Sequence, residues 1–280
     1  MFCYQCEQTA NGQGCTVVGV CGKDEETAAL QDLLVHVTKG MAARMESLPK
    51  EKRPAGIAAL IEEALFTTVT NVNFDPVRIE ELIRGVAAAA SISLPASRAE
   101  LLTLAAEVGV AARRESLGDD VSGLQELLTY GVKGMAAYAH HARRLGYTDP
   151  AVDAFFIESL ARLAAGEAAV DKLLPLNLKC GEVTLAVMAL LDKAHTDTYG
   201  HPVPTKVRIG HQPGKAILVS GHDLLYLKEL LKQTEGTGIR VYTHGEMLPA
   251  HGYPELHCQD RKSTRLNSSH EIPSRMPSSA

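Results

Sequence analysis

Four of the six cysteines in this 280-residue chain fall within its first twenty-one positions. Cys3, Cys6, Cys15 and Cys21 are spaced Cys-x2-Cys-x8-Cys-x5-Cys. Structural zinc and iron–sulfur clusters both call for four soft thiolates converging on one point, and a Cys-x2-Cys pair supplies two of them from a single turn of backbone. Gly12, Gly14, Gly19 and Gly22 allow the intervening loop to bend, because glycine tolerates positive φ. Three chemistries compete. A disulfide framework is disfavoured, since no signal peptide precedes Cys3 and a chain of this length needs no staples. Structural zinc usually pairs two close knuckles, and only one is present here. A [4Fe–4S] cube accepts ligands from an irregular wrap and fits best, although the spacing is not the bacterial ferredoxin run.

A second candidate pair lies far along the chain. Ala216-Ile217-Leu218-Val219-Ser220 and Ile239-Arg240-Val241-Tyr242-Thr243 read as short strands, the first an apolar run typical of a buried parallel strand. Between them Asp223 caps a predicted helix from Leu224 to about Gln233, which Gly236 and Gly238 stop. In such a β-α-β unit ligands collect at the carboxyl ends of strands. His222 and Glu246 follow those ends, and neighbouring strands lie about 5 Å apart, so both side chains can reach one centre. Taken alone, they read as a loop histidine and a solvated carboxylate.

The elements that must carry these residues are mostly helical. Apolar residues at three- and four-residue spacing, Leu30, Leu33, Leu34, Val37, Met41 and Met45, predict an amphipathic helix over residues 24–48. A second helix is expected over 55–70. A third starts at Asp75-Pro76, an N-cap acid followed by proline at the first helical position. Ser97 with Glu100 forms a capping box that opens a fourth helix, expected to run to about Arg114. A fifth covers about 121–145, Pro150 opens another through Ala165, and further helical pieces broken near Pro175 reach about Ala194. Gln31-Asp32-Leu33-Leu34 with Lys39-Gly40-Met41-Ala42-Ala43 echoes Gln125-Glu126-Leu127-Leu128 with Lys133-Gly134-Met135-Ala136-Ala137 at a constant offset of 94 residues. A gapless echo of that length predicts a duplicated helical bundle. Gly40 and Gly134 sit mid-helix at some cost and are expected where another helix packs close. His140, His141, His195, His201 and His211 read as surface or linker residues. Cys180 reads as a buried apolar thiol.

Composition bounds the rest. Hydrophobic residues make up 45% and charged residues 22%, ordinary for a soluble globular protein. Net charge is −5 with no basic block, which argues against nucleic acid. No apolar run approaches the roughly 20 residues of a membrane span, so no membrane partner is expected. Thiolate-rich metal chemistry without a secretion signal points to the cytoplasm.

Met1-Phe2-Cys3-Tyr4-Gln5-Cys6-Glu7-Gln8-Thr9-Ala10, followed by Cys15 and Cys21, resembles the N-terminus of the hybrid cluster protein family, also called prismane proteins or hydroxylamine reductases. The close spacing is similar to that of members carrying a [4Fe–4S] cubane on these four cysteines. Ser220-Gly221-His222-Asp223-Leu224 and Thr243-His244-Gly245-Glu246-Met247-Leu248-Pro249 are similar to the family segments that supply a histidine and a first glutamate to its hybrid iron–sulfur–oxygen cluster. His244 is at best a residue behind those ligands. The resemblance implies a mainly α fold. A helical domain of two three-helix bundles would be followed by the β-α-β start of a truncated α/β, Rossmann-like domain. It implies reduction of hydroxylamine to ammonia and water, with nitric oxide as rival substrate, and an electron-donor protein as partner. An electron-transfer or redox-sensing module without a catalytic centre, and a zinc-stapled helical protein, are the competing classes.

The expected organisation is a cysteine-rich loop over 1–23, a helical domain over 24–195, a Thr/Gly/Pro/His linker over 196–215 and the start of the α/β domain over 216–257. The resemblance ends near Leu256. Residues 260–270 can be back-translated into what looks like a common DNA-sequencing adapter, so 258–280 are expected to be a non-native tail, and Cys258 is given no ligand role. The remaining cysteines and second glutamate of the hybrid cluster would then be missing, and the fragment is expected to be inactive by itself.

Overall fold

Side-chain caps set where several helices begin. In the computed structural model, which describes residues 1–6, 12–70, 72–207, 210, 212–257 and 266–268, Asp24 accepts the Thr27 N–H at 2.7 Å ahead of α1 (Glu25–Glu46). Asp75 accepts from Val77 ahead of α3 (Pro76–Ala90), and Asp149 from Ala151 ahead of α7 (Pro150–Ala164). Both of these helices carry proline at their first position, where its missing N–H has no intrahelical partner to lose. Ser97 and Glu100 form the expected capping box of α4 (Arg98–Val108). Between these lie α2 (Ile57–Phe66), α5 (Val110–Leu117), α6 (Asp119–Arg144) and α8 (Val170–Tyr199).

Two boundaries differ from expectation. The fourth helix was expected to continue to about Arg114, but Gly109 adopts ψ 171° and splits it into α4 and α5. A side chain at Gly109 would meet the Ala105 carbonyl at 3.2 Å and an Asp32 carboxylate oxygen at 3.4 Å, so the break lets the chain pass close to α1. Conversely, Pro175 does not break α8. It lies near the helix start, and the Asp171 carbonyl that loses its partner sits in an exposed turn open to water. Within α8, an 18-residue stretch has mean hydropathy 1.4, so by length and composition alone this helix is able to cross a membrane. Leu174, Leu178, Leu185 and Met188 along it are exposed.

The chain divides into two units, Met1–Leu191 and Asp192–Ala280. The first is built on the repeat. Helices starting at Glu25, Ile57 and Pro76 recur at Asp119, Pro150 and Val170, offsets of 94, 93 and 94 residues. The repeats are not separate bodies: α1 packs on α3 and also on α7, while α2 packs on α6. The first helix of each repeat thus lies against the second helix of the other. Each amphipathic helix has more apolar face than its own repeat covers, and the crossing buries the remainder. Leu30, Leu33, Leu34, Met41, Phe156 and Leu160 are fully buried in one core. The echo extends to polar groups. Gln31 Nε2 donates to the Asn73 carbonyl at 3.0 Å, and Gln125 Nε2 to the Glu167 carbonyl at 2.8 Å, each donor and acceptor 94 residues from its counterpart.

A buried ion pair joins the repeats. Arg143 donates twice to the fully buried Glu62 carboxylate, at 2.7 and 2.8 Å, and once to Asp153 at 2.7 Å. The mid-helix glycines divide. A Cβ at Gly40 would lie 3.1 Å from Ile92, but Gly134 is exposed with nothing within 4 Å, contrary to expectation. The close approach falls instead at Gly131, where a Cβ would meet Cys180 Sγ at 2.7 Å. Cys180 is the buried thiol expected, and its burial raises its pKa.

The second unit holds β1 (Ala216–Ser220), α9 (Leu224–Thr234), β2 (Arg240–His244), a 3-10 segment (Gly245–Gly252), α10 (Pro254–His257) and β3 (Leu266–Ser268). Asp223 caps α9 through Leu225 and Tyr226, as the sequence predicts. The sheet is parallel, in the order β1-β2-β3, with Ser220 beside His244. Central β2 buries Val241 and Thr243, whereas β1, which among the described residues pairs with β2 alone, leaves Leu218 exposed and is not the buried strand its apolar run suggested. His195 is not a linker residue: it ends in an aromatic cluster with Tyr199 and Tyr253, at 5.7 and 5.9 Å. His140 and His141 pack on Phe66. His201 is exposed as expected, and His211 lies outside the described residues. Most of the expected tail also lies outside them; within it Leu266–Ser268 pairs with β2 from Val241 to Thr243.

Candidate metal centres

The cysteine loop folds back on itself at its first turn. The Phe2 N–H donates to the Cys15 carbonyl at 2.9 Å, and Cys3 and Cys15 form an antiparallel bridge. Gly14, just before Cys15, has φ +85°, and a Cβ there would collide with the Met1 sulfur. The positive φ disfavours any other residue here, whereas the Met1 side chain is flexible and half-exposed and can move aside. Cys21 sits in a turn closed by Gly22 N–H to the Gly19 carbonyl and Gly19 N–H to the Lys23 carbonyl, each at 2.8 Å. Cys3, Cys6, Cys15 and Cys21 are all free thiols, Cys15 buried and the others half-buried.

Buried polar side chains anchor the loop to the helices. Lys23 is 1% exposed and donates to Gln31 Oε1 at 2.5 Å. Gln5, between Cys3 and Cys6, donates to Asp32 and accepts from Lys133. The Tyr130 hydroxyl donates to the Tyr4 carbonyl. Burial pushes the Cys3 thiol pKa up, opposed by its backbone hydrogen bond at Gln5 and by the Lys23 ammonium. A cation held beneath the loop favours the thiolate, the form that binds metal. Sequence reading missed Lys23, Asp32 and Lys133, because a charged residue is by default a solvated one. Lys39 and Lys133 did fall within the 94-residue echo, on helices whose flanking positions are apolar, and that was the available signal.

The other predicted pair meets. His222 Nε2 lies 2.6 Å from Glu246 Oε2, both side chains exposed, at the carboxyl ends of β1 and β2. His244 reaches the Ser220 hydroxyl from its Nδ1 at 3.4 Å. Beneath them is a histidine the sequence reading passed over: buried His251, whose Nε2 lies 2.7 Å from the Thr243 hydroxyl.

A sequence model of the Prismane/CO dehydrogenase family matches residues 1–270. The chain belongs to that family. Prismane-family proteins are iron–sulfur cluster proteins. The chain is similar to proteins named hydroxylamine reductase: 49% identical over 275 residues to that of Zymomonas mobilis, 50% over 286 to that of Rhodospirillum rubrum and 49% over 278 to that of Syntrophobacter fumaroxidans. Each comparison covers 91% of this chain and 50–51% of the relative. The chain thus spans about half the length of the curated relatives it matches.

Tested against the groups such a family implies, the two centres differ. Four free thiols on a loop with a buried cation beneath suit a thiolate-bound iron–sulfur group, and Cys3 and Cys15 already face one another. Among the described residues, however, no three His, Cys, Asp or Glu side chains gather tightly enough to hold a metal. For the hybrid cluster the fit fails within this chain: His222 and Glu246 are two donors closed on each other, with no third beside them among the described residues.

Proposed function

We propose that the protein is a hydroxylamine reductase, converting NH2OH with two electrons and two protons to NH3 and H2O. It would accept its electrons from a donor protein in the cytoplasm. Cys3, Cys6, Cys15 and Cys21 would hold a [4Fe–4S] cluster, and His222 and Glu246 would be two ligands of a hybrid iron–sulfur–oxygen cluster completed by residues beyond this chain. An iron–sulfur group on the cysteine loop supplies one-electron storage and transfer. The helical repeats are read as two three-helix bundles that interlock, and the β-α-β unit as the start of a Rossmann-like domain. The observation that carries the proposal is the arrival of His222 and Glu246 at one point beyond neighbouring parallel strands, in a chain about half identical to hydroxylamine reductases.

Each residue has a task that can be stated without the metal. Lys23 holds positive charge near Cys3 and favours the ionised form of that thiol, against the effect of its burial. Gln5 ties the Cys-x2-Cys turn to α1 and α6 through Asp32 and Lys133. Gly14 admits the fold-back that sets Cys15 opposite Cys3. Glu246 orients the His222 ring through its Nε2. For the 280-residue chain by itself one observation favours a second reading, electron transfer without turnover: the strand-end pair has no third donor among the described residues.

Anaerobic reconstitution of the chain with iron and sulfide tests this. The expected result is a brown protein with an EPR signal on reduction, abolished by Cys3→Ser or Cys21→Ser, and no hydroxylamine turnover. Colourless material holding zinc would refute the iron assignment, and turnover by the chain alone would refute its incompleteness. In a full-length relative, replacing the glutamate equivalent to Glu246 by Gln is expected to abolish turnover and leave the N-terminal signal intact.

A further inference from the structure

A cavity of about 500 Å³ lies in the first unit, lined by Gln5 of the cysteine loop, Val108 at the end of α4 and residues of α1, α5, α6 and the end of α7. That volume is ordinary for a small-molecule site. Its charged residues follow the repeat. Asp32 and Lys39 on α1 stand where Glu126 and Lys133 stand on α6, 94 residues on. The pseudo-symmetric quartet is unevenly served. Asp32 takes a hydrogen bond from Gln5, and Lys133 gives one to Gln5. Glu126 pairs with Arg113 of α5 at 2.6 Å. Both Gln5 and Arg113 come from segments outside the repeat: Gln5 bonds Asp32 and Lys133, Arg113 sets its charge against Glu126, whose buried Oε1 makes no hydrogen bond, and neither reaches Lys39.

Lys39 is the fourth member of the quartet. It is 7% exposed and lines the cavity. Among the described residues it has neither a hydrogen-bond acceptor nor an ion-pair partner. A buried ammonium without acceptors is costly, and proteins that keep one usually bring a counter-charge to it. Burial and the neighbouring Arg113 push its pKa down to about 8. The cavity's formal charge points the same way: Lys39, Lys133 and Arg113 oppose only Asp32 and Glu126, with His36 at the rim. One negative charge is missing. The rest of the wall includes Val35, Ala43, Val108 and Leu163, which suit a hydrocarbon body, beside Ser116, Gln125 and Thr129, each of which already donates to a backbone carbonyl.

We propose that this cavity binds a small organic monoanion, its carboxylate on Lys39 Nζ and its apolar part against Val35, Ala43, Val108 and Leu163. None of the four cysteines lines the site, although it shares Gln5, Asp32 and Lys133 with the supports of their loop, and it does not depend on the hydroxylamine reading. A dianion would overcompensate the single surplus charge, and a neutral ligand would leave Lys39 without its counter-ion.

Thermal unfolding of the full 280-residue chain at pH 7 and constant ionic strength is the test, with benzoate, butyrate, phosphate, nitrate and chloride as probes. Binding to the folded state alone raises the melting temperature saturably. The expected result is such a rise with benzoate and butyrate, absent with chloride and much smaller with phosphate or nitrate. Lys39→Met is expected to melt higher than the parent without ligand, which shows that it folds, and to lose the benzoate response. An unchanged response in that variant overturns the proposal, as does no saturable rise in the parent. An equal rise with phosphate or nitrate overturns the organic class. A measurement without any variant guards against misfolding. Benzoate should slow acylation of Lys39 by an amine reagent at least tenfold relative to exposed Lys50, read by mass spectrometry; no protection overturns the assignment.

Discussion

The cysteine loop stands on buried charge, whereas His222 and Glu246 stand at the exposed ends of two strands. Beneath the loop, Lys23, Gln31 and Lys133 are all nine-tenths buried or more, the last two on helices that cross between two repeats. At the strand ends one histidine–carboxylate contact follows two five-residue strands. The first arrangement is fixed before any metal binds, because its supports are part of the core. The second is placed by backbone topology alone, so its side chains are free to take other partners. Stability should therefore be sensitive to charge removal in the first region and indifferent to it in the second.

The sharpest break is at Arg143. Arg143→Met leaves the Glu62 carboxylate buried without its partner and is expected to destabilise the first unit by about 3–5 kcal/mol in urea unfolding followed by helical circular dichroism. Glycine substitutions come next. Gly131→Ala places a methyl 2.7 Å from Cys180 Sγ and is expected to cost about 1–3 kcal/mol. Cys180→Ala should restore most of that loss in the double variant. Gly134→Ala, in open space on the same helix, should instead stabilise by up to about 1 kcal/mol.

Proton linkage gives a graded effect. Burial lowers Lys39 and Lys133 from 10.5 to about 8 and raises Asp32 from 3.8 to about 6. Between about pH 8 and 10.5 the unfolded chain holds lysine protons that the folded chain has released, so these groups add stability as pH rises. Between pH 3.8 and 6 the folded chain holds the extra proton on Asp32, so its contribution falls as pH rises. The difference in unfolding free energy between the parent and Lys39→Met, measured at pH 7, 8.5 and 10, is expected to shrink steadily; a constant difference would show that Lys39 titrates normally. The smallest expected effect is at the strand ends. His222→Ala or Glu246→Gln should change unfolding stability by no more than about 0.5 kcal/mol, because exposed ion pairs contribute little. A larger loss at Glu246 would erase the contrast between the two regions.

Much of this was legible in the sequence. Asp75-Pro76, Ser97 with Glu100 and Asp223 announce helix starts through local chemistry, and each forms its cap. The 94-residue echo carried through to helix starts and to the paired Gln31 and Gln125 contacts. His222 and Glu246 were joined by topology, since a β-α-β unit brings both strand ends to one edge, and they do meet. What escaped depends on contacts distant in sequence. Gly134 and Gly131 look alike along α6, and only the position of Cys180 tells them apart. Leu218 of β1 is exposed because no element among the described residues covers that face, which the strand's own residues do not encode. Buried Lys39 needed the crossing of two repeats before it had anywhere to be buried.

That crossing also sets an order of events at the ribosome. α1 is complete at Glu46, yet the helix that covers its second apolar face ends only at Ala164. At about 5–20 residues per second, the nascent chain carries an uncovered row of leucines and methionines for on the order of ten seconds. During that interval trigger-factor-like holdases or a neighbouring nascent chain compete for the same surface, so synthesis speed through the second repeat becomes a determinant of yield.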